Sequence, residues 1–128
     1  MRTFSDIAYA AMRIVVGLLF FCHGAQKLFG VLGGNQAPLV SRLGAAGIIE
    51  TVAGILIAAG IFTTMAAFVA SLEMVAAYML AHAPRGGLPI QNGGELAVAY
   101  CFVFLYVATQ GDGRWSVAAV RRGGRGRR

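Results

Sequence analysis

Four apolar stretches, residues 7–29, 45–62, 65–83 and 94–110, dominate this chain of 128 residues. Each comes close to the ~20 residues that a helix needs to cross ~30 Å of hydrocarbon. Only short connections remain between them. A backbone in lipid must satisfy its polar groups within the segment, so the spanning form is helical. Only 12% of residues are charged, against about 25% in ordinary soluble domains. The expected fold is all-α, a four-transmembrane-helix bundle, with one membrane domain over residues 1–118 and a basic tail over 119–128.

Arg13 interrupts what would otherwise be the apolar core of a signal peptide, and the apolar character continues past Cys22, so the first stretch is expected to persist as a helix. Gly33, Gly34, Asn35 and Pro38 punctuate the first connection, and Gly60 with Thr63 and Thr64 marks a tight second turn. Residues 82–94 carry Pro84, Gly86, Gly87, Pro89 and Gly93, a composition expected to exclude helix.

Four spans put both termini on one side. Arg2, Arg114 and the arginine-rich tail lie there, against Lys27, Arg42 and Arg85 on the other side. The positive-inside rule then predicts a multi-pass protein of the plasma (inner) membrane with both ends cytoplasmic. The net charge of +6 is concentrated in that tail, which has no aromatic residue for base stacking. It reads as a topology determinant touching anionic headgroups, not as a nucleic-acid site.

Six ionisable residues, Arg13, His23, Lys27, Glu50, Glu73 and Glu95, fall within or at the edges of the spans. Each charge at the centre of a bilayer costs ~3 kcal/mol or more, so such residues pair or carry function. Arg13, Phe20 and Lys27 recur every seven residues, which keeps them on one stripe that drifts about 20° per step. Glu50 shares a face with Gly47 and Gly54, and Glu73 shares one with Ala66, Ala70 and Ala77. Small residues let helices approach in lipid, so both carboxylates are expected to face neighbouring helices.

Glu95 heads a face continued by Ala99, Phe102, Tyr106 and Thr109, and can cap its own helix. At about 1.5 Å per residue, Glu73 falls near mid-membrane and Arg13 about 8 Å towards the cytoplasm, which predicts an Arg13–Glu73 ion pair. His23, Lys27, Glu50, His82 and Glu95 gather in the outer half. His23, Lys27 and Glu50 are the ligand-binding candidates, with Arg13, Glu73, His82, Asn92 and Glu95 as supporting polar residues.

Cys22 and Cys101 lack CxxC or His-flanked spacing and read as buried thiols, so no metal site is expected. His23 and His82 on two helices are too thin a signal for axial haem ligation, and no catalytic residue is assigned.

Arg13-x-x-x-Gly17, His23-Gly24-x-x-Lys27-Leu28, Glu50-x-x-x-Gly54, Asn92-Gly93-Gly94-Glu95 and Gly111-x-Gly113-x-x-Ser116 occur in that order. Together they resemble the DoxX family of small four-helix membrane proteins. Glu73-Met74, Tyr78 and His82-x-Pro84 are similar to one of its subgroups. Two positions depart from the family pattern, Thr64 where an Arg is common and Ala118 where an Asp is common.

The resemblance implies a membrane subunit supporting a quinone-linked oxidoreductase complex, with quinone as the cofactor candidate. The implied partners are the bilayer, a soluble or membrane redox enzyme and further copies of the chain. A proton-linked small-solute carrier and a structural scaffold are the alternative readings.

Overall fold

The computed structural model describes residues 2–125. Every regular element among them is helical: α1 (Arg2–Phe29), α2 (Arg42–Ala59), α3 (Thr63–Ala77), a short α4 (Pro89–Asn92), α5 (Glu95–Gln110) and α6 (Val117–Arg125). From α3 the chain continues through a π-helical turn, Tyr78–His82, and a 3-10 turn, Ala83–Arg85. The helical stretches Arg2–Phe29, Arg42–Ala59 and Thr63–Arg85 are long and apolar enough to cross a membrane, and α5 adds a shorter apolar helix of 16 residues. These form an all-α bundle of the expected class.

The connection over 82–94 departs from the expectation of no helix. Pro84 and Pro89 each fall in the first turn of a short helix, where a missing N–H removes no internal bond. At the other end of the chain, α6 gives helical form to the first part of the basic tail, while Arg127 and Arg128 lie outside the described residues.

Large apolar side chains cover the outside of the bundle, among them Leu18, Leu19, Val52, Ile55, Leu72 and Phe102. Soluble monomers rarely expose contiguous apolar patches beyond a few hundred Å², so this surface belongs against acyl chains. The interior is built differently on its two sides. Ala67 and Ala70 of α3 are fully buried, and Ser71 donates to the Cys101 carbonyl of α5 at 2.9 Å. Between α1 and α5, Phe20 meets Phe104 with ring centroids 4.6 Å apart, and Phe104 stacks on Tyr100 at 5.5 Å.

Helices α1 and α2 meet glycine on glycine. A Cβ on Gly54 would stand 2.6 Å from the Phe21 nitrogen and 2.7 Å from the Gly17 oxygen, and one on Gly24 would stand 2.8 Å from the Gly47 oxygen. Gly17 and Gly24 are seven apart on α1, as are Gly47 and Gly54 on α2. The two antiparallel helices therefore touch backbone to backbone at two levels.

Arg13 makes a different partnership from the expected ion pair with Glu73. It is 1% exposed; Nη1 donates to the Ile57 carbonyl at 2.5 Å and the Ala58 carbonyl at 2.7 Å, and Nη2 to the Trp115 carbonyl at 2.6 Å. The last carbonyls of α2 have no intrahelical partner, and the negative end of the helix dipole favours a cation there. That end offers Arg13 several acceptors together, whereas Glu73 lies mid-helix on α3.

The same end is tied further. Gly60, with φ 73°, closes α2 in a Schellman turn through bonds from Ile61 to Leu56 and from Gly60 to Ile57. Tyr9 donates to the Gly111 carbonyl at 2.5 Å, and Ser116 accepts from Ala119 at 3.1 Å to start α6. Asp112 accepts the Thr63 N–H at 3.1 Å, so it caps α3 from another loop. Burial alone would raise the pKa of Asp112, but hydrogen bonds from Thr63 and Arg122 outweigh it and hold the carboxyl below its ordinary value.

Two predictions follow from these contacts. Gly54→Val drives a side chain into α1 and lowers the melting temperature of the purified protein, by the ~1–3 kcal/mol typical of overpacking or more. Gly123→Ala, with nothing within 4 Å, leaves it unchanged; equal melting of the two variants would refute the contact. A depressed folded-state pKa stabilises above the unfolded value of ~3.9, and that stabilisation is lost as pH falls through the folded value. Asp112→Asn is therefore destabilising at pH 7, by no more than about 1 kcal/mol for a group so open to solvent screening, and neutral once the pH falls below the folded-state value.

Candidate functional site

At the opposite end of the bundle, the last turn of α1 brings Lys27 against α2. Gly47 makes this possible: a Cβ there would lie 2.9 Å from the Lys27 Cβ. The lysine stem runs along that bare strip of backbone to Glu50, three residues further on. Lys27 Nζ contacts both Glu50 oxygens at 2.7 Å. The Glu50 side chain is 4% exposed and that of Lys27 is 25% exposed, so the carboxylate is buried and the ammonium reaches the rim. The position of Lys27 in the last turn of α1 also suits a cation.

A cavity of about 260 Å³ opens on one side of this pair. Besides Lys27 and Glu50, its wall includes Phe20 and His23 from α1, His82 from the π-helical turn and Tyr100 from α5. His23 and Tyr100 meet edge-to-face with centroids 6.2 Å apart. All three ligand-binding candidates from the sequence thus line one chamber. His82 joins them, its Nδ1 lying 3.3 Å from the Asn92 carbonyl.

Asn92 acts on the connecting loop. Its Nδ2 donates to the Tyr78 hydroxyl and the Gly86 carbonyl, each at 3.0 Å, and its Oδ1 accepts from Gly94 at 2.9 Å. At 3% exposure it is the centre that holds the 83–94 loop over the cavity. The π-helical turn places the Tyr78 and His82 rings 6.3 Å apart beneath that loop. Such single π turns concentrate at functional sites.

Glu73 and Glu95 stand apart from the cavity. Glu73 faces a second, wider groove of about 790 Å³ between α2 and α3, which shares Lys27, Glu50, Ala77 and His82 with the first. Its Oε2 is buried and has no hydrogen-bond partner among the described residues. Glu95 is exposed, and the start of α5 has no side-chain cap. The face it heads turns outward, with Phe102 and Tyr106 more than half exposed, while Ala97, Tyr100, Phe104 and Val107 point inward. A helix apolar on every side carries no amphipathic signal to fix its rotation.

The sequence model of the DoxX family matches residues 8–83. The chain belongs to the DoxX family. It is 45% identical over 111 residues to an uncharacterised protein of Haemophilus influenzae, across 81% of this chain and 83% of that relative. No solved structure matches it. In this DoxX protein the matched segment carries Arg13, His23, Lys27, Glu50, Glu73 and His82, while Asn92 and Tyr100 lie beyond it. Tyr100 escaped sequence reasoning, although its i, i+4 spacing to Phe104 is the trace of the buried stripe on α5. Among the described residues no group of three or more His, Cys, Asp or Glu could hold a metal ion.

Lys27→Met leaves the Glu50 carboxylate buried without its partner and should cost roughly 3–5 kcal/mol in thermal or denaturant unfolding. Lys27→Met combined with Glu50→Leu should regain most of that loss. A single variant as stable as the wild type would sink the pairing.

Proposed function

We propose that this protein is a membrane subunit that holds a quinone headgroup beside the Lys27–Glu50 pair and supports a quinone-linked redox complex. The observation that carries the reading is the composition of the 260 Å³ cavity: an ammonium, a buried carboxylate, two imidazoles and a phenol ring around otherwise apolar walls. Convergent polar groups in a mostly apolar pocket are the usual signature of a ligand site.

The residues fit such a headgroup. Its two carbonyls need donors, which Lys27 and the imidazoles of His23 and His82 supply. A bound quinone provides two-electron, two-proton redox chemistry that these side chains do not. The chain's own part is to hold the ring, exclude water with Phe20, Met74 and Leu96, and keep proton-bearing groups at hydrogen-bond distance from the ring oxygens. Lys27 serves this role because its ammonium is at the rim while Glu50 fixes its direction.

In the same reading the chain is a single plasma-membrane domain followed by a basic cytoplasmic tail. The arginines of α6 support that orientation through the positive-inside rule. In this reading the Lys27–Glu50 cavity lies in the outer half of the bilayer.

Quinone extracted with the protein, after purification in mild detergent from quinone-replete membranes, is expected near one per chain. Glu50→Gln and His23→Ala should lower it by about tenfold or more, the scale of losing one or two hydrogen bonds to a buried partner. Wild-type protein without quinone would overturn the proposal.

A further inference from the structure

The inner cavity, at about 260 Å³, is smaller than the roughly 300–1,000 Å³ of pockets that enclose drug-sized ligands. It has room for a ring but not for a ring and a long tail. A tailed ligand held there must lay its tail elsewhere. The adjoining groove of about 790 Å³ offers that space. Its walls come from α2 and α3, with Ala46 and Ile49 on one side and Leu72, Ala76 and Leu80 on the other. Leu72 and Leu80 are more than half exposed on the apolar surface, so the groove opens towards the acyl chains.

The two spaces are continuous at one partition. Lys27, Glu50, Ala77 and His82 border both. The Lys27–Glu50 pair is thus part of the wall between them, with the lysine head partly exposed and the Glu50 side chain buried.

Polar chemistry inside the groove is sparse and specific. Arg42 stands at the first residue of α2, and Glu73 offers the buried, unpartnered Oε2. Buried polar atoms in native folds almost always have a partner, so an orphan acceptor in a lipid-facing groove calls for a donor brought by the occupant. Ring hydroxyls of a reduced quinone are donors of that kind.

Resting on the quinone reading of the inner cavity, we propose that the α2–α3 groove is a lateral port. Through it an isoprenoid-tailed hydroquinone passes between the bilayer and the inner cavity. Its tail lies along Ile49, Leu72 and Ala76, and a ring hydroxyl meets Glu73 on the way. Glu73 is a contact for the ligand in transit, and the inner residues hold it at rest.

Native mass spectrometry from detergent micelles, under anaerobic conditions, counts ligands bound per chain and tests this directly. The probes are a decyl-substituted benzoquinol and the same ring without a tail. Ala76→Trp fills the groove from a lipid-exposed position, and Glu73→Leu removes the acceptor. Ala76→Trp, which blocks the resting place of the tail, should lose at least tenfold in occupancy by the tailed probe, and Glu73→Leu should slow its uptake at least tenfold while the final occupancy stays within twofold of wild type. The tail-less probe, which does not need the groove, should bind each variant within twofold of wild type. Ala46→Trp, on the opposite wall, should repeat the Ala76→Trp result and guards against a variant that fails to fold.

Wild-type occupancy by the tailed probe in both tryptophan variants overturns the port and leaves the inner-cavity reading standing. A wild-type protein that binds neither probe overturns that reading, and the port with it.

Discussion

Close approach of α1 and α2 is the constraint on which the rest depends. Gly17 and Gly24 on one helix and Gly47 and Gly54 on the other leave the seam without a Cβ at the points where the two backbones come closest. In lipid there is little hydrophobic drive to bring helices together, so dispersion contacts at short range and polar contacts must do it. The same seam delivers two of the chain's embedded cations to their partners. Lys27 passes along Gly47 to reach Glu50, and Arg13 lies close by Gly60 to reach the end of α2. Larger residues at these glycines would separate the charges from their partners before any ligand were considered.

The two ends of the bundle use charge for opposite purposes. At the end that carries the start of α1 and α6, Arg13, Tyr9, Asp112 and Ser116 each bond to backbone groups. That end is a knot of helix caps beside an open polar hollow of about 550 Å³ whose wall includes Asp6, Tyr9, Asp112, Arg114 and Arg122. At the other end the polar groups meet each other and border open space. Histidines there face a cavity instead of a carbonyl ladder, apart from the one long contact of His82 to Asn92. A capped end and a cavity-bearing end thus lie within about 30 Å of membrane.

Much of this was legible in the sequence, for physical reasons that can be named. Apolar runs pointed to helices because backbone satisfaction in lipid leaves no other choice, while the ends shifted with the caps: 45–62 against Arg42–Ala59, where Ser41 starts the helix and Gly60 ends it. His23, Lys27 and Glu50 converged because depth and small-residue faces constrain a polar group in a membrane on two axes at once. The partner of Arg13 was not legible, since carbonyl acceptors at a helix end leave no mark on residue identity. Nor was the rotation of α5, whose uniform apolarity hides which side is inside. Asp112 was invisible because it caps a helix 49 positions away in the chain.

The central claim is that the chamber bounded by His23, Lys27, Glu50, His82 and Tyr100 holds a quinone ring. Photo-crosslinking with a ring-azido quinone, followed by peptide mapping, tests it most directly. The account predicts label on the α1 segment 20–27 and on residues 93–100 at the start of α5, suppressed by excess unmodified quinone. Label confined to the outward face of α5 around Phe102 and Tyr106, and indifferent to that competition, would contradict it.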